Sequence, residues 1–239
     1  MLTELRRAAP ARVAGAPPWW LVGVFGLVTL YTTLDVANHG PLTHLDGSVS
    51  RRMLDWGLRY NDGAKPFLKA LVMFGNRTPV LYVSIPVIVY LTWRSRSSES
   101  VLRFLIALAA LIVVVYALKH AVDRYPPVLA TDQVNHPDSY PSGHLANSVL
   151  IWGTVSWCAV RAGAPVRLIM LLRAIRIVAP IAVVVGMTLL DYHWVSDFIG
   201  GACAGALLLP VVLHPAWAQV AAWIDQPLRR SDHTRYPRA

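Results

Sequence analysis

The sequence predicts an all-α, polytopic membrane protein. It has six transmembrane helices with both termini in the cytoplasm, and an extracytoplasmic interfacial amphipathic helix between the first two spans. Three observations carry this. The 239 residues are 55% hydrophobic and only 15% charged, whereas soluble domains carry roughly 25% charged residues. The deficit is concentrated in long runs free of Asp, Glu, Lys and Arg. The 22 Lys and Arg against 13 Asp and Glu, a formal net charge of +9, are spread unevenly between the segments joining those runs. In a soluble chain such an excess would suggest nucleic acid; between apolar spans it marks basic cytoplasmic loops, and no nucleic-acid partner is expected. Cys158 and Cys203 both sit within apolar runs, as small buried hydrophobes rather than a bridge or a metal site.

A helix needs about 20 mostly apolar residues to cross the hydrocarbon, within a range of about 17–25. The runs in order are Val13 to Leu34, Thr78 to Trp93, Val101 to Leu118 (interrupted early by Arg103), Leu145 to Val160, Ile177 to Leu190, and Phe198 to about Ala222. The short ones can be extended by polar residues that face the bundle or snorkel. The first run follows Arg6, Arg7 and Arg12. It exceeds the apolar region of about 7–15 residues found in a cleaved signal peptide, so a retained span is expected. With the N-terminus inside, 14 of the 22 Lys and Arg face the cytoplasm and 8 lie outside. That bias sets the orientation. Arg exceeds Lys by 19 to 3, a composition that suggests a bacterial source and hence a bacterial plasma membrane.

Most of the outside charges fall between Ala37 and Arg77. There Leu42, Leu45, Val49, Met53, Trp56 and Tyr60 recur at steps of three and four, with Asp46, Arg51, Arg52, Asp55 and Arg59 between them. This is the pattern of a helix lying in the interface plane. Gly201 and Gly205, flanked by Ala202 and Ala206, give the sixth span a small face for close packing. Residues 1–239 form one membrane domain, its chemistry within 119–205, and 229–239 read as a basic cytoplasmic tail.

Three polar clusters fall at the outer ends of different spans: Lys119, His120, Asp123 and Arg124; Tyr140 to His144; and Asp191, Tyr192, His193, Ser196 and Asp197. Each suits a phosphate ester. Pro141-Ser142-Gly143-His144 opens a helix, whose free N–H groups and positive dipole end attract a phosphate oxygen. Gly143 permits close approach and Ser142 adds a hydroxyl. Lys119 and Arg124 supply positive charge for the dianion and the transition state. His193 and Asp197, four apart, meet on one helical face. The carboxylate would then fix the imidazole tautomer and leave the other nitrogen free to attack phosphorus, with His144 to protonate the leaving oxygen. His144, His193 and Asp197 are residue types that can ligate zinc. No HxxxH or HExxH spacing supports a zinc site, and two cations stand nearby, so no metal and no cofactor are expected.

These residues resemble the type 2 phosphatidic acid phosphatase family, membrane relatives of vanadium haloperoxidases, with its motifs KxxxxxxRP, PSGH and SRxxxxxHxxxD. PSGH is complete at 141–144, HxxxD at 193–197, and Lys119 starts the first motif. The resemblance implies metal-independent hydrolysis of a lipid phosphate through a phosphohistidine. His193 would be the nucleophile, Asp197 its orienter, His144 the general acid, and Lys119, Ser142 and Gly143 phosphate ligands. Both motif arginines are replaced. Pro126-Pro127 stands for Arg-Pro, and Gly186-Met187 for Ser-Arg. Arg124 is the preferred substitute and Arg77 the second. The expected function is a lipid phosphatase acting on a polyprenyl or glycerolipid phosphate or pyrophosphate at the outer leaflet. A lipid phosphotransferase and a non-catalytic lipid-binding relative are the alternatives.

Overall fold

The computed structural model describes residues 19–127 and 138–235. The starting arginines, the beginning of the first expected span and residues 236–239 of the basic tail lie outside the described residues. Among the described residues every regular element is a helix: α1 (Trp19–Ala37), α2 (Pro41–Trp56), α3 (Ala64–Val72), α4 (Arg77–Ser95), α5 (Glu99–Val122), α6 (Gly143–Arg161), α7 (Val166–Leu189), α8 (Val195–Val212) and α9 (Ala216–Arg235), with a 3₁₀ turn at Leu58–Tyr60 after α2.

Local chemistry sets the boundaries. Pro41 opens α2, and Gly57 closes it in the left-handed region with φ 63°. Asn76 caps α4 by accepting from the Thr78 N–H, and Ser142 caps α6 by accepting from the Leu145 N–H. Four helices, Trp20–Ala37, α5, α7 and α8, are each long and apolar enough to cross a membrane, and α3 with α4 forms a pair bent by 50° that passes together. The helix α6 is different. It is the centre of the molecule, packed by α4, α5, α7 and α8. Its Asn147, Ser148, Thr154 and Ser156 are buried among protein rather than facing outward. The Asn147 amide nitrogen donates to the Gly75 carbonyl at 2.8 Å and Thr154 to the Leu150 carbonyl at 2.8 Å, while Asn147 Oδ1 and the Ser148 hydroxyl have no partner among the described residues.

Three expectations change. The amphipathic stretch Leu42 to Tyr60 is a helix and a 3₁₀ turn, because Gly57 closes α2, and a second short helix, α3, follows Gly63. The fifth span begins at Val166 rather than Ile177, taking Arg167, Arg173 and Arg176 into the helix, where long side chains can carry their charge to the polar boundary. The sixth run breaks at Leu213 to Pro215, because Pro215 cannot continue a helix. The helix α9 runs on through residues 229–235 of the expected basic tail.

Arg103, the charge within the third apolar run, is 1% exposed and closes α8. It donates to the carbonyls of Val212 at 2.7 Å and His214 at 3.1 Å, pairs with Glu99 at 2.8 Å, and lies over the Trp157 ring. Those carbonyls would otherwise lack partners at a helix end.

Candidate active site

The C-terminus of α5, the N-terminus of α6 and the α7–α8 turn meet at one end of the bundle. Asp197 is completely buried in the first turn of α8. Its Oδ2 accepts from the Trp194 N–H at 3.1 Å, which ties down the helix start, from the Ser139 hydroxyl at 2.5 Å, and from His193 Nδ1 at 3.0 Å. Its Oδ1 accepts from Arg124 at 2.8 Å. With Nδ1 carrying the proton toward a carboxylate, His193 Nε2 is the free nitrogen.

His144 faces it edge-on, with ring centroids 6.2 Å apart, and Phe198 covers His193 from another side at 5.9 Å. Two nitrogens each about 3 Å from one reacting phosphoryl group need a spacing of this order. Glycines make the approach possible. A Cβ on Gly201 would lie 2.5 Å from the Ser142 carbonyl oxygen, and one on Gly200 would lie 2.6 Å from the Tyr140 hydroxyl. The small face of α8 therefore receives the Tyr140 ring and the Ser142 backbone directly, and the Ser142 N–H donates to the Asp197 carbonyl at 3.0 Å. On the far side, a Cβ on Gly75 would lie 2.5 Å from the His144 carbonyl oxygen, so the turn leading to Arg77 rests on the same helix start. Burial pushes the Tyr140 phenol up to about 12, against the opposing effect of its hydrogen bond with Thr33.

The structure gathers His193, Asp197, His144, Ser142, Gly143 and Arg124 at this end. Lys119, in the last turn of α5, sits there too and donates to the Asp138 carbonyl. Arg124 is held by Asp197, Ser196 and Asp46, with its guanidinium 4.9 Å from the Trp194 ring centre. The second candidate, Arg77, is exposed at the start of α4.

Two site residues escaped sequence reasoning. Ser139 precedes the PSGH string and has no motif signal. Asp46 lies on α2, and its only trace in sequence is its spacing of four from Ser50, which makes a small polar face between apolar residues. Both α2 residues are buried against the bundle, while Leu45 and Trp56 of the apolar stripe are exposed. Ser50 donates to Asp191 at 3.1 Å, and Arg59 lies 4.0 Å from the same carboxylate. Burial pushes the Asp191 carboxyl up, with Ser50 and Arg59 pulling the other way.

Packing surrounds Gly186 and Met187 closely. Met187 is 2% exposed in an apolar cluster with Leu68, Val72, Val183 and Phe198. At Gly186 a Cβ would lie 2.8 Å from the Leu68 carbonyl oxygen. The short helix α3 occupies this space, leaving no room for the Ser-Arg pair. Among the described residues, no three of His, Cys, Asp and Glu converge as a metal-ligand set.

A family model described as PAP2 superfamily matches residues 100–221. In fold, the chain is similar to the crystal structure of the first transmembrane PAP2 type phosphatidylglycerolphosphate phosphatase from Bacillus subtilis. The TM-score is 0.68 at 18% identity, over 81% of this chain and 94% of that one. No curated protein matches the sequence.

Proposed function

Because the chain belongs to the PAP2 superfamily, we propose that it is a lipid phosphatase. It hydrolyses a polyprenyl or glycerolipid phosphate or pyrophosphate at the extracytoplasmic face of a bacterial plasma membrane. Six spans with both termini inside put the motif end outside, with α2 in the interface above the lipid tails. The observation that carries the reading is the pair of imidazoles 6.2 Å apart, one of them held at Nδ1 by a buried carboxylate.

The chemistry follows from those groups and requires no metal. The lone pair on His193 Nε2 attacks phosphorus as the bond to the lipid oxygen breaks, and His144 gives that oxygen its proton. Asp197 stabilises the positive charge that grows on His193. Water then attacks the phosphohistidine, His144 takes back a proton, and inorganic phosphate leaves with the P–N bond broken. Lys119, Ser142 and Gly143 hold the phosphoryl oxygens at the α6 N-terminus, where free N–H groups favour an anion. Arg124 joins this set from the side where Asp197 and Asp46 hold it.

Purified protein in detergent, given a lipid phosphate with EDTA present, is expected to release inorganic phosphate. His193→Ala is expected to abolish release. Release that disappears on chelation, or that survives in His193→Ala, would overturn the reading.

A further inference from the structure

We propose that Asp46, on the helix α2 outside all three catalytic motifs, is a positioning residue for the nucleophile. It acts by holding Arg124 and Ser196 in place against Asp197. The proposal rests on the phosphatase reading above and adds a component to that site.

Asp46 is 1% exposed. Its Oδ1 accepts from the Ser196 N–H at 2.9 Å, and its Oδ2 accepts from the Ser196 hydroxyl at 2.5 Å and from Arg124 at 2.7 Å. The Ser196 hydroxyl in turn accepts from the other terminal nitrogen of Arg124 at 2.6 Å, and that nitrogen also donates to Asp197 Oδ1 at 2.8 Å. Asp197 Oδ2 is occupied by His193, Ser139 and Trp194, so Arg124 alone secures Oδ1 among the described contacts. A guanidinium is planar and presents its donors in a fixed fork. Pinned by a carboxylate on each side and backed by Trp194, it cannot rotate, and neither can the carboxylate that orients His193.

Charge points the same way. A carboxylate removed from water this completely is costly unless paired. Here one guanidinium is shared between two carboxylates, when Asp197 alone would satisfy it. Asp46 thus draws part of the Arg124 charge away from Asp197. Asp197 keeps more negative charge for the imidazole it must stabilise when phosphorus is attacked. Outer groups that orient a metal-ligating histidine typically cost about 10–100-fold when removed, and a loss of the same order is expected for a group that orients a nucleophilic one. A simple anchor for α2 would behave differently, because α2 is held to the bundle independently by Ser50 on Asp191 and by the Leu42 N–H on Asp35.

The test uses the full chain in detergent with a lipid phosphate, measuring kcat and KM for wild type, Asp46→Asn, Ser196→Ala and Ser50→Ala. Asp46→Asn is isosteric and is expected to lower kcat about 10–100-fold with KM within about 2-fold of wild type. Ser196→Ala removes another part of the same network, is expected to lower kcat in the same direction, and serves if Asp46→Asn does not fold. Ser50→Ala is expected to stay within about 2-fold on both constants. The proposal is overturned by a loss carried in KM, by wild-type kcat in Asp46→Asn, or by an equal loss in Ser50→Ala.

A second readout needs no turnover. In protein labelled with ¹⁵N-histidine, the hydrogen-bonded Nδ1 proton of His193, assigned by its loss in His193→Ala, is expected to move in Asp46→Asn. An unchanged resonance overturns the positioning role even if wild type proves inert, an outcome that would separately end the phosphatase reading.

Discussion

At the scale of single residues, the site is a set of carboxylates held in place by more than one donor. Asp197 takes four partners and Asp46 takes three, so neither is free to turn. Asp191, two residues before His193, is the contrasting case. It is 3% exposed with φ 54°, and burial raises its carboxyl above the ordinary range. In the unfolded chain it ionises first as pH rises, so the folded state loses stability through the window between the ordinary and the raised value. Above that window the loss stays constant. Asn cannot ionise, tolerates the left-handed region and keeps an acceptor for Ser50. Asp191→Asn is therefore expected to melt above wild type at pH 7, with the gap closing as pH falls toward about 3. Thermal unfolding followed by circular dichroism across that range checks it, and a gap independent of pH would contradict it.

At the scale of elements, α3 and α6 show where hydropathy reads well and where it does not. The spans that face outward on most sides are legible as apolar runs, because lipid-facing positions must be apolar. The helix α6 is less apolar because protein surrounds it, and the Asn147 amide nitrogen and the Thr154 hydroxyl find carbonyl partners there. Between Ala37 and Arg77 both α2 and α3 carry apolar residues at helical steps, and only Gly57 and Gly63 mark the break between them. What locates α3 is Gly186, the position at which it touches α7. In Gly186→Ser the added Cβ would meet the Leu68 carbonyl oxygen at 2.8 Å and Leu71 at 3.0 Å. Overpacking of this kind typically costs about 1–3 kcal/mol. The substitution is expected to lower the melting temperature, and unchanged thermal unfolding would mean that α3 yields without cost.

At the scale of the whole molecule, the chemistry depends on how closely α6 and α8 approach. His144 and His193 come from opposite sides of that contact, and Gly200, Gly201 and Gly205 determine its depth. Gly201→Ala adds one methyl 2.5 Å from the Ser142 carbonyl oxygen. The helix start must move, and His144 moves with it. Misplacement by about 1 Å can cost on the order of 100-fold in rate. Phosphate release by Gly201→Ala is therefore expected to fall by about that factor, and wild-type rates would show that the helix spacing does not govern the site.

The apolar runs and the strings at 119, 141–144 and 193–197 were sufficient to foresee a helical membrane protein and the three segments that meet at its motif end. Hydropathy and the four-residue step from His193 to Asp197 are local properties, and local properties survive in a linear string. The contribution of α2 was different. Asp46 and Arg124 are 78 positions apart and Asp46 and Ser196 are 150 apart, so no short pattern joins them. Their partnership exists only because folding turns the polar side of α2 inward, where a buried carboxylate must find donors and the guanidinium and hydroxyl beside Asp197 are the ones within reach.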